Sequence, residues 1–103
     1  MSSTEAVEER LATGRDAVAR RAWPEAYEAL SGATASGELQ PDDLELLAKS
    51  AWWVGRQNEA IEARERAYAT YVDRGDVPAA AFTALTLRRQ YVMKLAGSVA
   101  QVG

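Results

Sequence analysis

The chain has 103 residues, which is enough for one domain or part of one. Hydrophobic residues make up 48% and charged residues 26%, an ordinary composition for a globular chain. Cysteine and histidine are both absent, which excludes a disulfide framework and removes the commonest general base and metal ligand. The net charge of −3 argues against a dedicated nucleic-acid binder. We therefore expect a protein that is not an enzyme and uses no metal or cofactor.

Targeting signals are also missing from the sequence. No apolar run reaches the ~18–20 residues that a membrane span needs. The first residues carry neither the basic segment nor the apolar segment of a secretory signal. The default expectation is a cytoplasmic protein that contacts neither membrane nor nucleic acid.

Helical periodicity predicts a first helix over residues 4–21, with Thr4 as its N-cap and glutamates in its first turns. Trp23 ends this helix because the residue before a proline avoids the α region. Pro24 then suits the first turn of a second helix over residues 24–34. These signals predict two helices joined by a short turn.

The same signals recur in the rest of the chain. Pro41 precedes a third helix over residues 42–54, and Gly55 ends it. Asn58 can cap a fourth helix over residues 58–74. Gly75 stops the fourth helix, and Pro78 begins a fifth over residues 78–95, whose apolar residues are spread more broadly than a single stripe. Because no segment alternates like a strand, the predicted fold class is all-α with five helices.

The segment from Ala96 to Ala100 predicts a turn and the opening of a further helix. A helical solenoid normally ends in a helix with a polar outer face, and so short a segment cannot supply one. We therefore expect either a fragment of a longer repeat protein or a chain that covers its fifth helix by self-association.

An internal repeat appears when the chain is compared with itself at an offset of 34 residues. Six of the eleven positions from 25 to 35 are identical to their partners, including Glu25 with Glu59 and Glu28 with Glu62. Alanine matches are common by chance in a chain with 21 alanines. The paired glutamates, each following a helix break in phase, are much harder to obtain by chance.

On these residues the sequence resembles the tetratricopeptide repeat family, whose unit of about 34 residues is a pair of antiparallel helices. Gly55 to Ile61 matches the turn and the acidic-Ala-hydrophobic opening of the family's second helix, and Arg21 to Tyr27 corresponds in the first unit. Gly14 and Ala48 occupy the small position of the first helix. The resemblance implies a short right-handed solenoid. Its units would be about 7–40 and 41–74, with a partial third unit over 75–103, all in one domain spanning 1–103.

The match to the family is imperfect. Arg64 stands where the family usually has an aromatic residue, and Arg10 and Thr13 replace large apolar residues of the first helix. The segment Trp52 to Gly55, with the glutamates that follow, also resembles the helical repeats of large bacterial regulators that carry LuxR-type or cyclase domains. This second resemblance concerns the biological context of a transcription-regulator fragment.

The tetratricopeptide resemblance implies a concave groove, lined by the first helix of each unit, that binds a peptide. Tryptophan would supply apolar contact area, and arginine or lysine would hold a carboxylate. The residues that match the groove positions are Leu11, Arg15, Val18, Glu45, Lys49, Trp52 and Trp53, with Glu8 beside them. Core packing is the competing interpretation of Trp52.

The predicted function is a protein-interaction or regulatory module that binds a partner protein or peptide through this groove. A first alternative is a homodimerisation or scaffold element that uses the fifth helix. The candidate residues for that contact are Leu87, Tyr91 and Leu95. A second alternative is a small-effector sensor of a bacterial transcriptional regulator, with a pocket under the tryptophans.

Overall fold

The computed structural model describes residues 3–37 and 39–102, and the side chains of 4–37 and 39–99. Five α-helices account for nearly all of this part of the chain, and it contains no strand. They are α1 (Ser3–Ala19), α2 (Trp23–Ser36), α3 (Pro41–Trp53), α4 (Gln57–Arg74) and α5 (Val77–Val102). The predicted all-α class is confirmed. Apart from the end of α5, every boundary lies within two residues of its predicted position.

The end of α5 corrects the prediction. The sequence predicted that the helix stops near Leu95 and that a turn follows over residues 96–100. Instead, α5 continues without a break to Val102. Gly97 is the only helix-weakening residue in this stretch, and one glycine costs a helix only about 1 kcal/mol relative to alanine. Leu95 and Val99 keep the helical spacing across it, so the helix is not interrupted.

Consecutive helices pack against each other along the chain, and α1 also contacts α3. The helix termini follow the sequence signals. Pro24 and Pro41 lie in the first turns of α2 and α3. Gly75 ends α4 in the left-handed conformation, and the Asp76 carboxylate accepts a hydrogen bond from the Ala79 amide at 3.2 Å at the start of α5. The short turns place each helix against the next one.

The turns after α1 and α3 have the same backbone structure 34 residues apart. Arg21 and Gly55 both have positive φ, at 58° and 88°. The next residue closes each turn in the same way, because the Ala22 amide donates to the Ala17 carbonyl and the Arg56 amide donates to the Ala51 carbonyl, both at 2.8 Å. The repeat seen in the sequence is therefore a repeat of turn geometry as well.

Small side chains form much of the interior. Four alanines that pair at the 34-residue offset, Ala26 with Ala60 and Ala33 with Ala67, are fully buried. A Cβ atom at Gly14 would lie 2.6 Å from Leu30 Cγ, which shows how closely α1 approaches α2. Leu30, Leu44, Leu47 and Tyr71 supply the larger part of the core. The alanine-rich sequence is thus used for close helix packing.

Candidate interaction surfaces

The apolar members of the predicted groove belong partly to the interior. Leu11 and Val18 are half-buried and pack against the core cluster. Trp52 is also half-buried. These three residues therefore contribute to the packing of α1 and α3, and only part of each remains available to a partner.

Arg15 is the cation that the sequence placed in the groove, and it is already paired within the chain. Its Nε and Nη2 atoms donate to Asp43 Oδ1 and Oδ2 at 2.9 and 2.7 Å. Asp43 is almost completely buried. The hydrogen bond from Asp43, with its charge, raises the pKa of Arg15 above its ordinary value. This two-pronged contact joins α1 to α3.

Glu45, another groove candidate, lies in a polar network between three helices. Its Oε2 atom accepts a hydrogen bond from the Tyr71 hydroxyl at 2.8 Å, and its Oε1 atom accepts one from Thr83 at 2.9 Å. The Tyr71 hydroxyl also lies 3.0 Å from Asp42 Oδ1. Burial, together with the hydrogen bonds to Glu45 and Asp42, raises the pKa of Tyr71 well above its ordinary value. Glu45 therefore connects α3 to α4 and α5.

Arg64 lies beside this network and is only 8% exposed. Its Nη2 atom donates to the backbone carbonyl of Glu45 at 3.2 Å, while its Nε atom has no partner among the described residues. Burial lowers the pKa of Arg64. The residue that departs from the family pattern thus fills a core position with its long side chain.

The tryptophans form an aromatic pair at the junction of α2 and α3. Trp53, which is 63% exposed, stacks on Trp23 with ring centroids 6.0 Å apart and planes inclined by 12°. The Lys49 ammonium lies 5.7 Å from the centre of the Trp23 ring. The structure therefore brings two predicted groove residues, Trp53 and Lys49, onto Trp23, which the sequence analysis had assigned only to the turn.

The largest exposed apolar surface lies on the last two helices. Eleven large apolar side chains are exposed among the described residues, and eight of them belong to α5. Tyr68 and Val72 of α4 adjoin them and line grooves between the two helices. One of these grooves has a volume of about 280 Å³. No polar layer among the described residues covers this side of α5.

The exposed apolar residues of α5 follow a regular spacing. Ala81, Leu85, Arg88, Val92, Leu95 and Val99 succeed one another at alternating intervals of four and three residues. All six are exposed. We call this row the outer α5 face. The opposite side of α5 is buried and includes Ala80, Thr83, Leu87 and Gln90.

The three self-association candidates are divided between these two sides. Leu87 is only 9% exposed and packs inside the chain. Tyr91 is about half exposed, and its hydroxyl donates to Glu65 Oε2 at 2.7 Å, which raises the pKa of Tyr91. Leu95, at 66% exposed, lies on the outer α5 face. The broad apolar spread in the sequence was the available signal that α5 has two apolar sides.

Charge on α5 is of one sign. The helix contains Arg88, Arg89 and Lys94 and no acidic residue. Lys94 donates a hydrogen bond to Asn58 at the start of α4, whereas neither Arg88 nor Arg89 has a hydrogen bond or ion pair to any described residue. The outer α5 face is therefore apolar with unpaired positive charge.

The end of α5 extends beyond α4. At 1.5 Å per residue, α5 is about 39 Å long and α4 about 27 Å. Because Lys94 reaches the first turn of α4, the residues after it run past that end. All described side chains from 91 to 99 are exposed. No helix among the described residues is long and apolar enough to cross a membrane.

Comparison with known proteins places no constraint on this arrangement. No protein-family model matches the chain, and neither a curated protein nor a solved structure is detectably similar to it.

Proposed function

We propose that the chain is a short helical-repeat module of the tetratricopeptide type that binds a partner protein, and that the partner docks on the outer α5 face. The repeat assignment is supported by the matched turns at Arg21 and Gly55 and by the buried alanines in phase. The module has no chemical step, and its activity is recognition.

The observation that carries this proposal is the outer α5 face. With the adjoining side chains of α4 it presents roughly 1,000 Å² of apolar surface, against ~300–600 Å² for the largest patch on a typical monomer. A standard protein interface buries ~800 Å² on each partner. The exposed surface is therefore large enough for one specific interface.

The spacing of the outer α5 face favours a helix as the partner structure. Alternating intervals of four and three residues form the seam along which two helices interlock side chains. A strand or an extended peptide would not match this row along its length. The projecting end of α5 gives a second reason, because a short helix without tertiary contacts is only marginally stable in water. A partner helix would supply the missing contacts.

The originally predicted groove is a weaker docking site. A ligand that used Arg15 or Glu45 would compete with Asp43 for the first residue and with Tyr71 and Thr83 for the second. Breaking the pair of a buried charge is costly. Trp53 and Lys49 remain accessible there but offer a smaller surface than α5.

A peptide-display selection tests the proposal. The wild-type chain should enrich amphipathic helical sequences with apolar residues at alternating spacings of three and four. The double variant Leu85→Glu with Leu95→Glu should lose these clones, while its free energy of unfolding stays within about 0.5 kcal/mol because both side chains are exposed. Glutamate and leucine have similar helix propensities, so α5 itself should persist. Selected clones that bind both proteins equally would contradict the proposal.

Homodimerisation through α5 is the second candidate, and one observation favours it. An antiparallel pairing of two α5 helices centred on Gln90 would match Leu85 with Leu95 and Ala81 with Val99 along the seam. The same pairing gathers Arg88 and Arg89 of both copies near its centre, where like charges repel. Sedimentation equilibrium separates the candidates, because the partner-binding proposal expects a monomer.

A further inference from the structure

We infer that the partner helix is acidic, with carboxylates flanking its apolar seam where they meet Arg88 and Arg89. This inference rests on the proposed docking at the outer α5 face and adds the chemistry of the partner. It follows from how α5 differs from the rest of the chain in charge pairing.

Most other arginines of the described chain are held by internal acceptors. Arg15 binds Asp43, Arg20 binds Asp16, and Arg56 binds Glu59. Arg10 and Arg74 donate to neutral oxygens of Gly32 and Gln40. Arg88 and Arg89, in contrast, have no such acceptor, and α5 contains no acidic residue that could provide one.

Arg88 occupies a position within the apolar row, between Leu85 and Val92. A partner that covers the row removes water from the guanidinium, and an uncompensated buried charge is strongly unfavourable. The binding partner must therefore bring an anion to this point. A carboxylate is the natural group because it accepts two parallel hydrogen bonds from a guanidinium.

Arg89 determines on which side the carboxylates lie. It is the residue next to the row, and it faces away from α4. On the α4 side, the Glu65 carboxylate already accepts the Tyr91 hydroxyl and would repel a second acid. We therefore place the partner's acidic flank along the Arg89 side of the seam.

Other occupants satisfy these groups less well. A second copy of α5 brings the same cations and no acid. An anionic lipid surface would neutralise Arg88 and Arg89, but it does not use the side-chain interlocking for which an alternating row of four and three is suited.

The test uses two synthetic helical peptides of about four heptads with leucine at both seam positions. One carries glutamate at every flanking position and the other carries lysine, so that each repels itself and stays monomeric. Fluorescence anisotropy with the wild-type chain should show binding of the glutamate peptide about tenfold or more tighter than of the lysine peptide, with the difference shrinking as salt is added.

Charge reversal provides the decisive variant. Arg88→Glu with Arg89→Glu should reverse the preference, so that the lysine peptide binds more tightly. The matched control is Arg21→Glu with Arg66→Glu, which makes the same change in net charge at two exposed, unpaired arginines away from α5. The control should retain the wild-type preference, because long-range attraction between exposed charges is screened at physiological salt.

Each remaining outcome overturns a defined step. Equal binding of both peptides, lost in Leu85→Glu, would keep the docking face and overturn the acidic partner. Binding of neither peptide by a monomeric chain would overturn the proposed function itself. A dimer that Arg88→Glu leaves intact, or tight binding to phosphatidylserine vesicles without binding to either peptide, would assign the face to a second copy or to a lipid surface instead.

Discussion

Arg21 adopts a φ of 58°, a left-handed conformation that costs an ordinary residue about 1–2 kcal/mol. Its equivalent 34 residues later is Gly55, for which the conformation is free of this cost. The sequence identified Arg21 as the replacement of the turn glycine. It did not predict that the turn keeps the glycine geometry despite the arginine. The closing hydrogen bond from Ala22 and the packing of α2 on α1 hold the backbone in place.

Arg21→Gly is therefore expected to stabilise the chain. Relief of the left-handed strain outweighs the greater flexibility of glycine in the unfolded chain by about 0.5–1 kcal/mol. Urea unfolding followed by circular dichroism measures the change. The reciprocal control, Gly55→Arg, should lower the free energy of unfolding by about 1–2 kcal/mol. A loss of stability in Arg21→Gly would contradict the strain argument.

The contact between Arg15 and Asp43 leads to a second prediction. Arg15→Ala leaves the nearly buried Asp43 carboxylate without its partner and should lower the free energy of unfolding by about 2–3 kcal/mol. The double variant Arg15→Ala with Asp43→Asn should recover part of this loss, because the buried charge is gone. If Arg15→Ala were neutral for unfolding, the side chain would be free to serve a groove ligand as the sequence first suggested.

Tyr71 makes stability depend on alkaline pH. Its pKa is raised in the folded chain, so its neutral form is retained there after tyrosine in the unfolded chain begins to ionise near pH ~10. The unfolded state then binds fewer protons, and the stabilisation from Tyr71 is complete below that pH and decreases as pH rises above it. The free energy of unfolding should fall less steeply between about pH 10 and 11 in Tyr71→Phe than in wild type. Equal slopes would contradict the prediction.

At the scale of elements, local signals located the helices and tertiary contacts set their limits. Pro24, Pro41 and Gly75 fixed the boundaries because each restricts the backbone directly. Gly97 misled the prediction because its effect is small in an uninterrupted helix. The groove assignment failed to anticipate Asp43 and Tyr71 as internal partners, since hydrogen bonds between residues 26 to 29 positions apart depend on how the helices pack.

Gly97→Ala tests the continuous course of α5. A Cβ at this position meets no atom within 4 Å, and alanine favours a helix by about 1 kcal/mol over glycine. The variant should slow amide hydrogen exchange in the projecting end of α5 and raise the helical circular dichroism slightly. A turn at residues 96–100 would give the opposite result, because alanine would then disfavour the turn.

At the scale of the whole molecule, charge and exposed apolar surface are concentrated at one end. The last helix combines eight of the exposed large apolar side chains with three cations and no anion, in a chain whose net charge is −3. The sequence predicted an uncovered fifth helix. Which side of it is uncovered depends on how α5 packs against α4, and so Leu87 was assigned to the surface while Leu85 was overlooked.

The docking of a helix on the outer α5 face is the central claim, and hydrogen exchange measured with and without the glutamate peptide tests it most directly. The claim predicts that the peptide slows exchange in α5, most strongly in residues 91–102, where the free helix lacks tertiary contacts. It also predicts unchanged exchange in α1 and α3. Protection confined to the segment around Lys49 and Trp53, with α5 unaffected, would contradict the claim and return the binding site to the groove.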